Sequence, residues 1–161
     1  MTADLLPHPK DVRDMFEGLL GRDVDVAPGE PVVPTDVVLA GVGLYVENNL
    51  NLAAAVAADL SLAAYAGAAL GLVPAGRAED AIAERDVSGG IWENFAELLN
   101  IGASLLNFDG APHLRLYTSL EPHTLPPADA GELLRGLGRR LDLTIKIAGY
   151  GSGSLSIVRA F

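Results

Sequence analysis

The sequence predicts an α+β fold, a largely antiparallel β-sheet with helices packed on it. Half of the 161 residues are apolar and only 20% are charged, the balance of a packed globule rather than a disordered chain. Segments of β-branched and aromatic content come in pairs joined by short turns. Regular strand–helix–strand alternation is missing, so hairpins rather than crossover connections must build the sheet. The length is most simply one domain spanning 1–161, with residues 1–10 as a loose lead-in. Such a chain can bury about two-thirds of its unfolded surface.

Val12, Met15, Phe16, Leu19 and Leu20 recur at helical spacing, which predicts a helix over 11–20 that Gly21 stops. Val24 and Val26 fit a short strand ahead of the turn-rich APGEPVVP. Residues 35–47, TDVVLAGVGLYVE, have the composition of a strand. Asn48-Asn49 turns the chain, and 50–57 pair back as a second strand. Asp59 is a natural N-cap for a helix over 60–72, closed by Gly71 and Pro74. Residues 52–73 have the length of a membrane span. Asp59 and Ser61 interrupt that run and Ala contributes little to insertion, so a strand turning into a buried helix is expected instead.

A shorter helix fits 77–85, and a central one follows over 87–107 with Ser88 as N-cap. After the turn signal Asp109-Gly110, residues 113–120 alternate as a strand, with Leu114, Leu116 and Thr118 on one side. Pro126-Pro127 and Asp129 introduce a helix through Leu137, ended by Gly138. Strands over 141–148 and 154–161 close the chain around the turn GYGSG. The hairpins leave strand edges open to pairing with a second copy, which predicts a homodimer.

The net charge of -10 opposes binding to nucleic acid or to an anionic membrane, and no Lys/Arg cluster offsets it. With no cysteine there is no disulfide, thiol nucleophile or thiolate metal site. The first residues lack the basic region and apolar run of a secretory signal, so a cytoplasmic location is expected. His8, His113 and His123 are scattered without ligand spacing, and no metal site is expected. Gly149, Gly151 and Gly153 precede a strand rather than a helix, which makes a hairpin turn the better reading than a phosphate loop. Trp92, at the edge of an apolar arc, reads as packing.

The stretch VSGGIWENFAELLNIGASLLN separates into two faces on a helical wheel. Ile91, Phe95, Leu98, Leu99, Gly102, Leu105 and Leu106 span an arc of roughly 120°, a core-facing stripe. Glu93, Glu97, Asn100, Ser104 and Asn107 share an arc of roughly 80° opposite it. Glu97 and Asn100, at i and i+3, can touch one target together. Neither is an activated nucleophile. A carboxylate can grip a cation, and an amide, which both donates and accepts, can orient a water. That chemistry needs a substrate that brings its own metal and leaving group.

The run AELLNIGASLLN resembles the helix of the CheC, CheX and FliY family of chemotaxis phosphatases, marked by Glu-x-x-Asn. In its longer form the pattern places Asp or Ser four residues before the Glu and Pro twenty-two residues after the Asn. Glu97 and Asn100 supply the pair, and Pro122 stands at the expected distance. Glu93 holds the upstream position, a departure in identity but not in polarity, so no catalytic role is carried over to it. Glu47-Asn48-Asn49 has no helical context, so the chain looks more like single-site CheX than two-site CheC. The Ala-rich segment 52–72 would then occupy the place of the other helix without its active residues.

The resemblance implies a CheX/CheC-like fold and hydrolysis of the aspartyl phosphate of a CheY-like response regulator. Glu97 would pair with the regulator's conserved lysine, and Asn100 would align a water for in-line attack. The regulator would supply Mg²⁺, and the chain would need no cofactor or metal of its own. CheX also forms homodimers by this resemblance. Two other readings stand beside it: the same fold as a binding module that docks a regulator or flagellar-switch component, and a structural domain with a solvated polar row.

Overall fold

The computed structural model describes residues 5–160. They form one six-stranded sheet, antiparallel throughout, in the order β1-β5-β6-β3-β2-β4. The strands are β1 (Val24–Pro28), β2 (Ala40–Val46), β3 (Leu52–Asp59), β4 (Arg115–Leu120), β5 (Arg140–Ile147) and β6 (Gly151–Arg159). Helices α1 (Pro9–Leu20), α2 (Leu60–Leu70), α3 (Ala75–Ala83) and α4 (Gly89–Ile101) precede β4, and α5 (Ala128–Arg135) follows it. The predicted α+β class holds, and each predicted element has a counterpart.

Both faces of the sheet are covered, which is why every residue of β2 is buried. The larger core lies under α1, α2 and α4, with Phe16, Leu62, Phe95, Leu99, Ile145 and Ile157 among its members. The smaller one lies under α5 and the loop at Val32, where Val42, Leu44, Ala57, Leu134 and Val158 meet. On that second face Ser156 accepts from Val32 N (2.8 Å) and donates to Asp142 (2.6 Å), while Arg140 grips the same carboxylate at 2.9 Å. The Arg140 guanidinium also donates to the carbonyls of Leu134 and Gly136, tying off the end of α5.

Several boundaries move for identifiable reasons. α1 starts at Pro9, a residue preorganised for a first helical turn, so the lead-in ends at His8. The first long strand starts at Ala40 rather than residue 35, because the Thr35 hydroxyl accepts from Val37 N and Val38 N and bends the chain into a turn. The next turn runs further than Asn48-Asn49: Leu50 takes φ +67° and Asn49 accepts from Asn51 N at 3.0 Å, so β3 begins at Leu52. α5 ends at Arg135, with Gly136 as its C-cap, and leaves Leu137 exposed. The end of the last predicted strand, at Phe161, lies outside the described residues.

The hairpins do not supply the open edges. β2–β3 and β5–β6 lie inside the sheet, and the outer strands are β1 and β4. Asp59 caps α2 as expected, accepting from Leu62 N at 2.9 Å. Residues 52–73 are indeed a strand turning into a buried helix, and no helix among the described residues is long and apolar enough to cross a membrane. GYGSG spans the hairpin turn and the start of β6, where Gly151 and Gly153 face α2: a Cβ on Gly153 would strike the backbone nitrogen of Leu62.

Candidate functional site

The site is built on α4, and small residues let it sit where it does. On β2, Gly41 leaves room for the Trp92 ring, which would lie 2.6 Å from a Cβ there. Two residues on, Gly43 does the same for Leu99, and the Tyr45 hydroxyl donates to the Leu99 carbonyl. Laterally, α4 rests on α2 at Gly67, whose missing side chain admits the Ile91 carbonyl. Asn94 Nδ2 then donates to Gly67 O at 3.0 Å. Trp92, Phe95, Leu98 and Leu99 are buried, and the two rings pack tilted with centroids 6.0 Å apart. The helix is therefore held against β2 and against α2, by contacts that involve no residue of the polar row.

The outward side is open. Glu93, Glu97, Asn100 and Ser104 are exposed, as the wheel predicts. Among the described residues, no hydrogen bond or ion pair engages the side chains of Glu97 or Asn100. A carboxylate and an amide one helical turn apart are thus free to meet one external group. Asn107 does not belong to the row. The α-helix ends at Ile101 and tightens into a 3-10 turn over Gly102–Leu106. At about 120° per residue that turn carries later positions away from the original face. Asn107 is extended and half-buried, and its amide joins Ala103 O (3.1 Å), Leu114 O (3.2 Å) and Leu114 N (2.8 Å). It closes the connection to β4.

Ser88 stands at the N-cap of α4, but its side chain makes no capping bond, and Gly89 enters with φ +60°. The start of the helix is anchored by neighbouring loops instead. Pro122 is buried in the turn closed by Thr124 N to Glu121 O, and the next residue, His123, donates from Nε2 to Arg85 O at 2.6 Å. Arg85 in turn donates to Val37 O at 2.8 Å. Pro122 thus sits beside the residue that ties the β4–α5 loop to Arg85, in the connection between α3 and α4. His8, His113 and His123 are all exposed. Among the described residues, no group of three or more His, Cys, Asp or Glu side chains is placed to hold a metal ion.

Tyr45 is the supporting residue that pattern reading missed. Burial pushes its hydroxyl pKa far up, so the group stays a hydrogen-bond donor. Its signal in the sequence was slight: a lone tyrosine in a strand, two residues after a glycine of the same face.

No family model matches the sequence, and no curated protein matches it. Solved structures do. A CheC-like superfamily protein from Shewanella sp. PV-4 is 13% identical, with 100% of each chain covered and a TM-score of 0.54. The FliM-SpeE complex from H. pylori contains a chain that is 7% identical, with 94% of this chain and 80% of that one covered and a TM-score of 0.51. At these identities the likeness is one of fold. The chain has the CheC-like fold that its Glu-x-x-Asn helix implied.

Proposed function

We propose that this chain is a phosphatase acting on the aspartyl phosphate of a CheY-like response regulator. The observation that carries the reading is the pairing of Glu97 and Asn100, exposed and uncommitted, on a helix held against β2 and α2. Glu97 docks the regulator's lysine. Asn100 enters the regulator's site and holds a water in line with the bond between phosphorus and the aspartyl oxygen. The water oxygen bonds to phosphorus as that bond breaks, leaving inorganic phosphate and the regulator's free carboxylate. The regulator contributes the Mg²⁺ that steadies the phosphoryl oxygens. Catalysis then rests on alignment, which is worth up to roughly 7–11 kcal/mol in favourable cases.

The partner is recognised by local contacts, because a chain of charge -10 gains no long-range attraction to an acidic regulator. We further propose a homodimer through the β4 edge, whose outer side is not paired with another strand among the described residues. A second reading, a binding module without turnover, is favoured by one observation: the FliM-like fold occurs in a complex with another protein.

Decay of phosphorylated response regulators from the same genome, with and without this chain, tests the proposal. Accelerated phosphate release that disappears in Asn100→Ala supports the phosphatase. Retention of a regulator without acceleration supports the binding module.

A further inference from the structure

We infer that Tyr45 is the positioning residue for Asn100, setting its reach through the carbonyl of Leu99; this rests on the phosphatase reading above. Tyr45 is 1% exposed, and its hydroxyl ends on the backbone of the residue immediately before Asn100. The bond falls where the helix is least able to hold itself. α4 gives way to a 3-10 turn after Ile101, and carbonyls at such a junction lose the regular i+4 alignment.

Packing beneath that end is also incomplete. A void of about 30 Å³ lies under it, lined by Met15, Tyr45, Leu99, Gly102 and Leu105 among others. Side chains around a void have no partner atoms on one side, so they resist displacement weakly. The hydroxyl of Tyr45 supplies a directional contact where dispersion falls short.

The sheet is shaped around this residue. Opposite β4, register slips between Leu44 and Tyr45, leaving Tyr117 without a cross-strand counterpart. Opposite β3, it slips between Tyr45 and Val46, leaving Ala53 without one. Bulges on both neighbours twist the sheet locally, a device that re-aims side chains. Gly43 completes the arrangement. The Tyr45 ring folds back across it, and a Cβ there would sit 3.2 Å from the ring and from the hydroxyl. A tyrosine needed only to fill the core would require neither the two bulges nor the glycine.

The test is Tyr45→Phe, which keeps the ring and removes only the donor. Steady-state dephosphorylation of a cognate phosphorylated regulator should show kcat lowered about tenfold, because a displacement of a fraction of an ångström at a water-aligning group is costly. KM should stay within twofold, since Glu97 and the docking face are untouched. Ser156→Ala serves as the control: it removes a buried hydrogen-bonding hydroxyl on the opposite face of the sheet, and its kcat should equal that of the wild type. A Tyr45→Phe enzyme with wild-type kcat, or an equal fall in Ser156→Ala, overturns the assignment while leaving the phosphatase standing. A wild-type chain inactive on every regulator overturns the phosphatase reading and the role of Tyr45 together.

Discussion

Gly67 and Gly102 should respond to the same substitution with opposite sign, because one faces a backbone and the other faces slack. A Cβ on Gly67 would collide with the Ile91 carbonyl oxygen and lie 3.0 Å from Ile91 Cγ2. A carbonyl fixed in a helix cannot rotate aside, so α2 and α4 must separate. Overpacking of this kind typically costs about 1–3 kcal/mol. Separation also stretches the Asn94 bond to Gly67 O, and a hydrogen bond contributes about 1 kcal/mol. Ala over Gly within a helix returns about 0.8–1 kcal/mol. Gly67→Ala should therefore destabilise by about 1–3 kcal/mol on combining those terms. At Gly102, φ is -62° and the nearest atom to a Cβ is Met15 Sδ at 3.8 Å, an ordinary contact. Gly102→Ala should stabilise by about 0.4–1 kcal/mol through the unfolded state. Urea denaturation followed by circular dichroism reads both. A Gly67→Ala variant as stable as wild type, or a Gly102→Ala variant that loses stability, would refute the seating of α4 described above.

Asn107→Ala should cost about 1–3 kcal/mol, since it strands backbone groups at Leu114 and Ala103, and thermal unfolding will show it. Asn100→Ala should leave stability within about 0.5 kcal/mol, as an exposed position without partners does. Asp142 carries a pH dependence. Burial raises its pKa, but the hydrogen bonds from Arg140 and Ser156 together with the Arg140 charge outweigh that and hold it below the usual 3.8. Its contribution to stability is then complete above the unfolded-state pKa and lost as pH falls through the lower folded value. Denaturant midpoints measured downward from pH 5 should drop in wild type and drop less in Asp142→Asn.

Much of this architecture is legible in local chemistry. Gly21 ends α1 in a left-handed C-cap, with φ +66°, and Asp59 starts α2 through its carboxylate; each acts within a few residues of itself, so reading along the chain finds it. The polar row on α4 is legible for the same reason as far as Asn100, one residue before the α-helix ends. Asn107 fails because its partners at Leu114 lie across a turn, and a wheel drawn at one pitch cannot register the change to a 3-10 turn. The sheet order fails more instructively. Hairpins announce which strands pair first, but β1 and β4 reach the edges by long-range pairing that no neighbouring residue encodes. Gly41, Gly43 and Gly67 look like weak points in a strand and a helix. The approach of α4 explains Gly41 and Gly67, and at Gly43 the Tyr45 ring joins Leu99 of α4 in filling the space.

The proposed division of labour between Glu97 and Asn100 is tested by comparing turnover with capture in two variants. A regulator phosphorylated on its aspartate is followed for phosphate loss, and its retention by each variant is measured in parallel. Asn100→Ala should retain the regulator as wild type does while losing acceleration. Glu97→Lys should lose retention, and lose acceleration only as far as binding fails. If Asn100→Ala still accelerates phosphate loss, the amide does not align the water and the account of this site is wrong.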